Sequence, residues 1–355
     1  MQQKIIRSND IANDLSALLK TLKYSGLFVL TDENTEKLCL PRIASIPEIE
    51  RAKKFSISAG DENKNLQTLS EVWKFLSENG ANRKSLLIHL GGGMLTDLAG
   101  FAAATFKRGI RFINIPTTLL GAVDAAVGGK TGINFCGLKN EIGAFCPAFA
   151  VLIDAQFCKT LDMTNLLSGY AELMKHWFLT PQPPLQNGEG EEILAFDFDA
   201  INYEKLNNLL FESVLIKENI VRQDPDEQGL RKALNLGHTV GHAFESLSHE
   251  RHHPVPHGYA VAWGLVCELY LSFLKLGFDK AILSKTTRFV KENYGVFPLD
   301  CSDYPHLYEL MQHDKKNESG NINFTLLRGV GQIEINQTAD RQEIEEALDY
   351  LREMG

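Results

Sequence analysis

Three groups of residues have types and spacings that could do chemistry. Gly91-Gly92-Gly93 closes a short apolar run, Asp97 follows four residues on, and Leu98 to Phe106 is helix-like. Glycines there let the backbone approach a bulky anion, and the open N–H groups of a helix start favour pyrophosphate. The run is not G-x-G-x-x-G, so a structural turn and a dinucleotide site are both open readings. Gly128-Gly129-Lys130-Thr131 resembles the tail of a P-loop. That motif needs a glycine five residues before Gly129, where the chain has Asp124, and no clear strand precedes it. A lysine near an anion is the milder reading. In Asn235-Leu236-Gly237-His238-Thr239-Val240-Gly241-His242, two histidines stand at i and i+4, on one helix face, where both can reach a metal or an anion. The Glu of H-E-x-x-H is missing, so a zinc protease is not indicated. His249, His252, His253 and His257 follow around two prolines, and spacing does not choose a ligand among them. Glu172, with Lys175 and His176 close by, reads by itself as a solvated helix carboxylate.

Two kinds of periodicity must position these groups. Ile11, Leu15, Leu18, Leu19 and Leu22 make one helical stripe; Leu66, Leu69, Val72, Trp73 and Leu76 make another, stopped by Gly80. Between and after them, Leu27 to Leu30, Leu86 to Leu90, Arg111 to Ile115 and Ala150 to Ile153 are short apolar runs of buried-strand type. Strands alternating with helices predict a parallel, Rossmann-like sheet with helices on both faces, over residues 1–155. From residue 156 to 355 helices dominate, at Leu161 to Leu179, Leu206 to Val221, His238 to Leu247 and Ala260 to Leu276. A surface excursion is expected at 181–192, one hairpin at Phe324 to Leu327 and Gln332 to Ile335, and a last helix through Ile344, Leu348 and Leu351.

The chain has 355 residues, enough for two domains of ordinary size. Its 36 Lys and Arg against 45 Asp and Glu leave a net charge of −9, which argues against nucleic acid as a partner. The longest apolar run, Tyr259 to Cys267, stops at Glu268, short of the roughly 20 residues that span a bilayer. The opening residues lack an apolar signal core, and six cysteines without a C-x-x-C pair suit a reducing compartment, so a cytoplasmic location is expected.

Taken together, these segments resemble the 3-dehydroquinate synthases, the NAD- and divalent-metal-dependent sugar-phosphate cyclases of the shikimate pathway, which leads to aromatic amino acids. The resemblance runs from about residue 27 to 330 and rests on GGGMLTDLAGFAAATFKRGIRFINIPTTLL (91–120), VDAAVGGKTGIN (123–134), LKNEIGAF (138–145), SGYAELMKH (168–176), DEQGLRKALNLGHTVGHAFE (226–245) and HDKKNESG (313–320). It implies the family's fold: an NAD-binding α/β domain and a mainly helical metal- and substrate-binding domain. It also implies metal ligands at Glu172, His238 and His257, with His242 facing substrate, where spacing alone would have paired His238 with His242. The implied metal is zinc or cobalt. NAD contacts would fall on Asp32, Asn34, Asp61, Lys64, Gly92, Gly93, Asp97, Thr117, Thr118, Lys139 and the Phe157 to Thr160 segment. Substrate contacts would fall on Asp124, Lys130, Asn140, Lys175, Lys217, Arg231, Asn235, His242, Lys315 and Lys316. Arg108 would serve the neighbouring subunit's site, which implies a homodimer.

The implied reaction converts 3-deoxy-arabino-heptulosonate 7-phosphate to 3-dehydroquinate and phosphate, with NAD reduced and reoxidised in each turnover. An acidic chain must then gather cations locally around a carboxylate and a phosphate. Arg231 and Asn235 are expected on one helix face, in a helix beginning near Gly229, with His242 about three turns further on. Four positions depart from the family pattern: Thr96 for Gly, Asp61 for Glu, Trp177 for a small residue and Tyr259 for Glu. The first two bear on NAD and the last two lie near metal positions in sequence. The alternatives are a sister cyclase acting on another sugar phosphate and a glycerol-dehydrogenase-like oxidoreductase.

Overall fold

A computed structural model describes residues 3–180, 192–225, 227–312 and 322–354. The chain divides into two compact units, Met1–Asp162 with Asn202–Val214, and Met163–Ile201 with Leu215–Gly355.

The first unit is a six-stranded, all-parallel sheet. In chain order come β1 (Lys4–Arg7), α1 (Ile11–Thr21), β2 (Leu27–Asp32), α2 (Glu33–Leu38), α3 (Pro47–Glu50), β3 (Lys53–Ile57), α4 (Leu66–Glu78), β4 (Leu86–Gly91), α5 (Gly93–Thr105) and β5 (Arg111–Pro116). An antiparallel hairpin of β6 (Lys130–Phe135) and β7 (Leu138–Phe145) follows, then β8 (Ala150–Ile153). Strand order across the sheet is β1-β8-β5-β4-β2-β3. Successive side chains of a strand point to opposite faces, so both faces must be apolar here. Leu27, Val29, Leu86, Ile88, Ile113 and Leu152 pack with Ile11, Leu15 and Leu19 of α1 in one core cluster, and the alternate residues Phe28, Leu87 and Phe112 are buried as well.

The strands and helices expected from periodicity are present, with ends shifted by a few residues. Gly80 has a φ of 76° just past α4, the conformation that ends a helix. Four strands, β1, β3, β6 and β7, had no visible signal: β1 is four residues long, and β3 begins Lys-Lys at a sheet edge. The hairpin strand β7 is exposed along nearly its whole length, so no alternation marked it. The hairpin also settles the Gly-Gly-Lys-Thr segment. Gly128 and Gly129 have φ of 101° and 72°, and Lys130 opens a strand rather than a helix, so this is not a P-loop.

In the second unit the elements are α6 (Met163–Phe178), α7 (Tyr203–Gln223), α8 (His238–Glu250), α9 (His257–Leu276), α10 (Lys280–Tyr294), α11 (Tyr304–Gln312), the hairpin β9 (Asn323–Gly329) with β10 (Gln332–Thr338), and α12 (Arg341–Glu353). α7 begins in the first unit. There Asn207 accepts from Ala155 N–H (2.9 Å) and donates to the Ser8 carbonyl (2.8 Å), which ties the start of α7 to the ends of β8 and β1. α9 is 20 residues long and apolar enough, by length and composition, to cross a membrane. It packs against α6, α8, α10, α12 and β9, and 67% of its most apolar stretch is buried, so it is read as the core helix of this unit. Its neighbours come very close. A Cβ on Gly258 would lie 1.9 Å from the Ser168 carbonyl oxygen, so only glycine lets α9 approach α6 there.

Candidate active site

In the first unit the sheet sets the site. β2 leads outward to β3, and the chain then crosses back over β2 to β4. Ligands of such sheets bind beyond the carboxyl ends of the strands where the order reverses. Asp32 ends β2, Gly91 ends β4, and Thr117 and Thr118 follow β5. Gly92, the residue before α5, has no side chain to cap that 13-residue helix. Its first N–H groups are therefore open to an anion at the switch point. The glycines also permit close packing: a Cβ on Gly92 would sit 3.0 Å from Thr118 Cγ2, and one on Gly93 3.1 Å from Ala125 Cβ. Thr117 Oγ1 is buried beside the Cys39 thiol, with no nitrogen or oxygen partner among the described residues. Asp32 accepts from the N–H groups of Asn34 and Thr35, both at 2.9 Å, and so caps α2, leaving Asn34 exposed.

Beside this edge a polar network forms. The Lys64 ammonium, 4% exposed, donates to Asp97 Oδ2 and Asn140 Oδ1, both at 2.5 Å. Asn134 Nδ2 donates to Asp61 Oδ2 (3.0 Å), and Asn134 Oδ1 accepts from Asn140 N–H (2.9 Å). Residues expected at NAD (Asp61, Lys64, Asp97) and at substrate (Asn140) thus share one network. Asn134, which sequence reading passed over, links them. Lys139 and Lys130 are exposed, and Asp124 lies half-buried in a π-helical turn. The Phe157 ring is in the core under the Arg42 guanidinium, while Thr160 Oγ1 donates to the Phe157 carbonyl. Arg108 is exposed, with φ of 65° after Lys107 at 50°. Thr96 is buried and donates to the Gly93 carbonyl, so its side chain stays within α5.

In the second unit, Glu172 on α6 is fully buried rather than solvated. Its Oε1 lies 3.2 Å from His238 Nε2 and 3.5 Å from His257 Nε2, and Lys175 pairs with Oε2. The far nitrogens fix the tautomers. His238 Nδ1 faces the Leu236 carbonyl at 3.0 Å, and His257 Nδ1 faces Glu245 Oε2 at 3.0 Å. Both partners only accept, so each Nδ1 carries a proton and each Nε2 faces the carboxylate. Among the described residues neither Glu172 oxygen accepts a well-directed hydrogen bond. A metal ion, or a second proton on the ring, would reconcile the convergence. Burial opposes charge on Glu172, but Lys175 and His238 hold its carboxyl well below the usual range. Burial likewise pulls His257 down, yet the carboxylates of Glu172 and Glu245 beside it prevail and raise it to about 9.

A tetrahedral ion with bonds of about 2.0–2.2 Å has ligand–ligand edges of about 3.3–3.6 Å, close to the two spacings seen. The donor set, one carboxylate oxygen and two imidazoles, suits zinc or cobalt. His242 adjoins the cluster, its ring 5.3 Å from that of His238 and 6.0 Å from that of His257, while His249, His252 and His253 are exposed.

In the same unit Lys175, Lys217 and Arg231 are buried. Arg231 donates to the Pro225 carbonyl, and Asn235 Nδ2 lies 3.5 Å from Glu227 Oε1. The expected helix from Gly229 through His242 is not formed. Leu230–Asn235 is a 3-10 helix, Leu236 is non-helical, Gly237 is left-handed, and α8 starts at His238. With three residues per turn, Arg231 and Asn235 do not share a face as i and i+4 would in an α-helix. Asp224 explains the turn: its carboxylate accepts from the N–H groups of Gln228, Gly229 and Arg231. Trp177 packs on Phe178 in the core, and Tyr259, half-buried, packs on Trp263 and Tyr294. Lys315 and Lys316 lie outside the described residues, as does nearly all of the 181–192 excursion. Glu245, missed as a partner of His257, stands seven residues after His238 on the same helix, which was its only signal.

A sheet edge open to an anion in one unit and a carboxylate–imidazole cluster that could hold a metal in the other are the parts a nucleotide- and metal-dependent enzyme would need. Comparison with known proteins narrows the class. Residues 54–168 match the family model 3-dehydroquinate synthase N-terminal, and residues 169–317 match 3-dehydroquinate synthase C-terminal. The 3-dehydroquinate synthase of Parabacteroides distasonis is 52% identical over 352 residues, covering 99% of this chain and 98% of that protein. Two solved structures share the fold. A 2-deoxy-scyllo-inosose synthase complexed with carbaglucose-6-phosphate, NAD+ and Co2+ has TM-score 0.81 and 21% identity, covering 97% of this chain and 95% of that one. The 2-epi-5-epi-valiolone synthase of Streptomyces hygroscopicus, with NAD+ and Zn2+ bound, has TM-score 0.80 and 24% identity, covering 100% and 98%. The chain belongs to the 3-dehydroquinate synthase family, and it is an enzyme of that class, a carbon–oxygen lyase that removes phosphate.

Proposed function

We propose that this chain converts 3-deoxy-arabino-heptulosonate 7-phosphate to 3-dehydroquinate and phosphate, in the cytoplasm and as a homodimer, with NAD bound in the first unit and zinc or cobalt in the second. The observation that carries the reading is the convergence of Glu172 Oε1 with the Nε2 atoms of two imidazoles at tetrahedral-edge spacing. The family membership selects the synthase over its sister cyclases and over a glycerol-dehydrogenase-like enzyme.

When bound, NAD supplies a hydride acceptor that later returns the hydride, and the divalent ion supplies Lewis acidity toward a substrate hydroxyl. The chain's own residues do the rest. Glu172, His238 and His257 would hold the ion, with Glu245 and the Leu236 carbonyl orienting the two rings. The α5 N-terminus, Thr117, Thr118, Asp32, Asn34 and the Asp61–Lys64–Asp97 network, with Lys139 and Thr160, would bind NAD. Lys130, Lys175, Lys217, Arg231 and the Lys315–Lys316 pair would neutralise the substrate's carboxylate and phosphate, with Asp124, Asn140, Asn235 and His242 fixing its hydroxyls. Exposed Arg108 and the exposed apolar Phe135, Leu138, Ile142 and Phe145 of the β6–β7 hairpin support a second copy as partner. Size-exclusion chromatography with light scattering tests that part: twice the chain mass is expected, and a monomer at working concentration would contradict it. The activity is tested by phosphate release, considered at the close of the Discussion.

A further inference from the structure

α8 poses a problem at its start. A helix leaves its first N–H groups without internal partners, and a side chain of the residue before it normally accepts from one of them. That residue is Gly237, which has none. It cannot easily be anything else. Its φ is 78°, and a Cβ would lie 2.8 Å from Leu265 Cγ and 3.1 Å from the Leu265 nitrogen. Gly264 of α9 presses on the same turn, since a Cβ there would meet the Gly237 carbonyl oxygen at 2.0 Å. The cap comes instead from across the helix pair. Glu268 of α9 is fully buried. Its Oε2 accepts from Gly237 N–H at 2.6 Å, and its Oε1 from Thr239 N–H at 3.0 Å and Val240 N–H at 3.2 Å.

The turn so held is the one that aims His238. Leu236 supplies the carbonyl that fixes the His238 tautomer, Gly237 is gripped by Glu268, and His238 is the first residue of α8. α9 also carries His257, eleven residues before Glu268, which is about three turns and hence the same face of the helix. One helix therefore supplies one imidazole of the cluster and clamps the backbone of the other.

We propose that Glu268 is a positioning residue for the metal centre, fixing where His238 Nε2 points relative to Glu172. This rests on reading Glu172, His238 and His257 as a divalent-metal site. In Glu268→Gln the shape is kept, but whichever way the amide turns, its NH2 faces a backbone N–H that had an acceptor. Cobalt(II) is titrated into the full-length, metal-stripped protein, following its visible absorption bands. Loss of an outer partner of a metal ligand commonly costs 10–100-fold in affinity. Glu268→Gln is expected to bind Co2+ about 10- to 100-fold more weakly, with altered bands, whereas Val266→Ala, a buried change on the same helix, keeps wild-type affinity and spectrum. Unchanged affinity and bands in Glu268→Gln would overturn the proposal, as would an equal loss in Val266→Ala, which would mean general loosening of α9. No Co2+ binding by the wild type, or unaltered binding by His238→Ala, would overturn the metal reading itself. If Glu268→Gln does not fold, amide hydrogen exchange of the wild type decides. Co2+ should slow exchange at Gly237, Thr239 and Val240 more than along α10, and equal slowing would count against the clamp.

Discussion

At the scale of single residues, the site was half legible. Glu172 taken alone looked like a solvated carboxylate, because a helix buried on all sides along Leu166–Phe178 gives no polar face to compare it with. The HxxxH spacing pointed at His238 but paired it with His242, whereas the histidine that joins His238 beside Glu172 is His257, which the chain reaches only after a proline loop. Asn134, Glu245 and Glu268 were invisible as partners because each acts through tertiary contacts. Glu172→Gln is expected to lose more Zn2+ or Co2+ affinity than the 10–100-fold typical of outer partners, read by calorimetry; retained stoichiometric metal would contradict its role. Arg231→Ala should lower kcat/KM for the heptulosonate phosphate on the order of 10- to 150-fold, the worth of one charge-assisted hydrogen bond. NAD+ affinity of that variant, measured alongside, should be unchanged; an equal loss of both would place Arg231 elsewhere. His89, buried on β4 and stacked on Phe112, has its pKa pushed down to about 3 by burial, against a bond to Asn114. The unfolded chain therefore takes up this proton first as pH falls below about 6.5, and stability drops from there toward pH 3. Between pH 7 and 5 the effect is about 2 kcal/mol. Urea midpoints should show His89→Gln losing that much less than wild type, and equal slopes would refute it.

At the scale of elements, strong periodicity and glycine stops carried the reading. The stripes beginning at Ile11 and Leu66 became α1 and α4, and the run Ala150 to Ile153 became β8 without change. The failures share a cause. β1, β3 and the β6–β7 hairpin are short or exposed, so their pairing decides them rather than their own pattern. The 3-10 turn at Leu230–Asn235 depends on Asp224, several residues away in the chain. Close helix contacts make a sharp test. Gly258→Ala puts a methyl against the Ser168 carbonyl at 1.9 Å and should cost about 3 kcal/mol or more. Gly80→Ala, with nothing within 4 Å but a φ of 76°, should cost only about 1–2 kcal/mol. Urea unfolding of both variants checks the order, and equal losses would mean that α6 and α9 yield to each other.

At the scale of the whole molecule, the net charge of −9 argues against a polyanion partner, and the proposed function needs only a small anion. An oxidation and its reversal within one turnover is the claim on which the account stands. Its test is to follow inorganic phosphate and the NADH absorbance together, with the heptulosonate phosphate in large excess over NAD+ and a divalent ion present. The account predicts many phosphates released per NAD+ with no steady rise of NADH. NADH accumulating in step with product, or no phosphate at all, would contradict it.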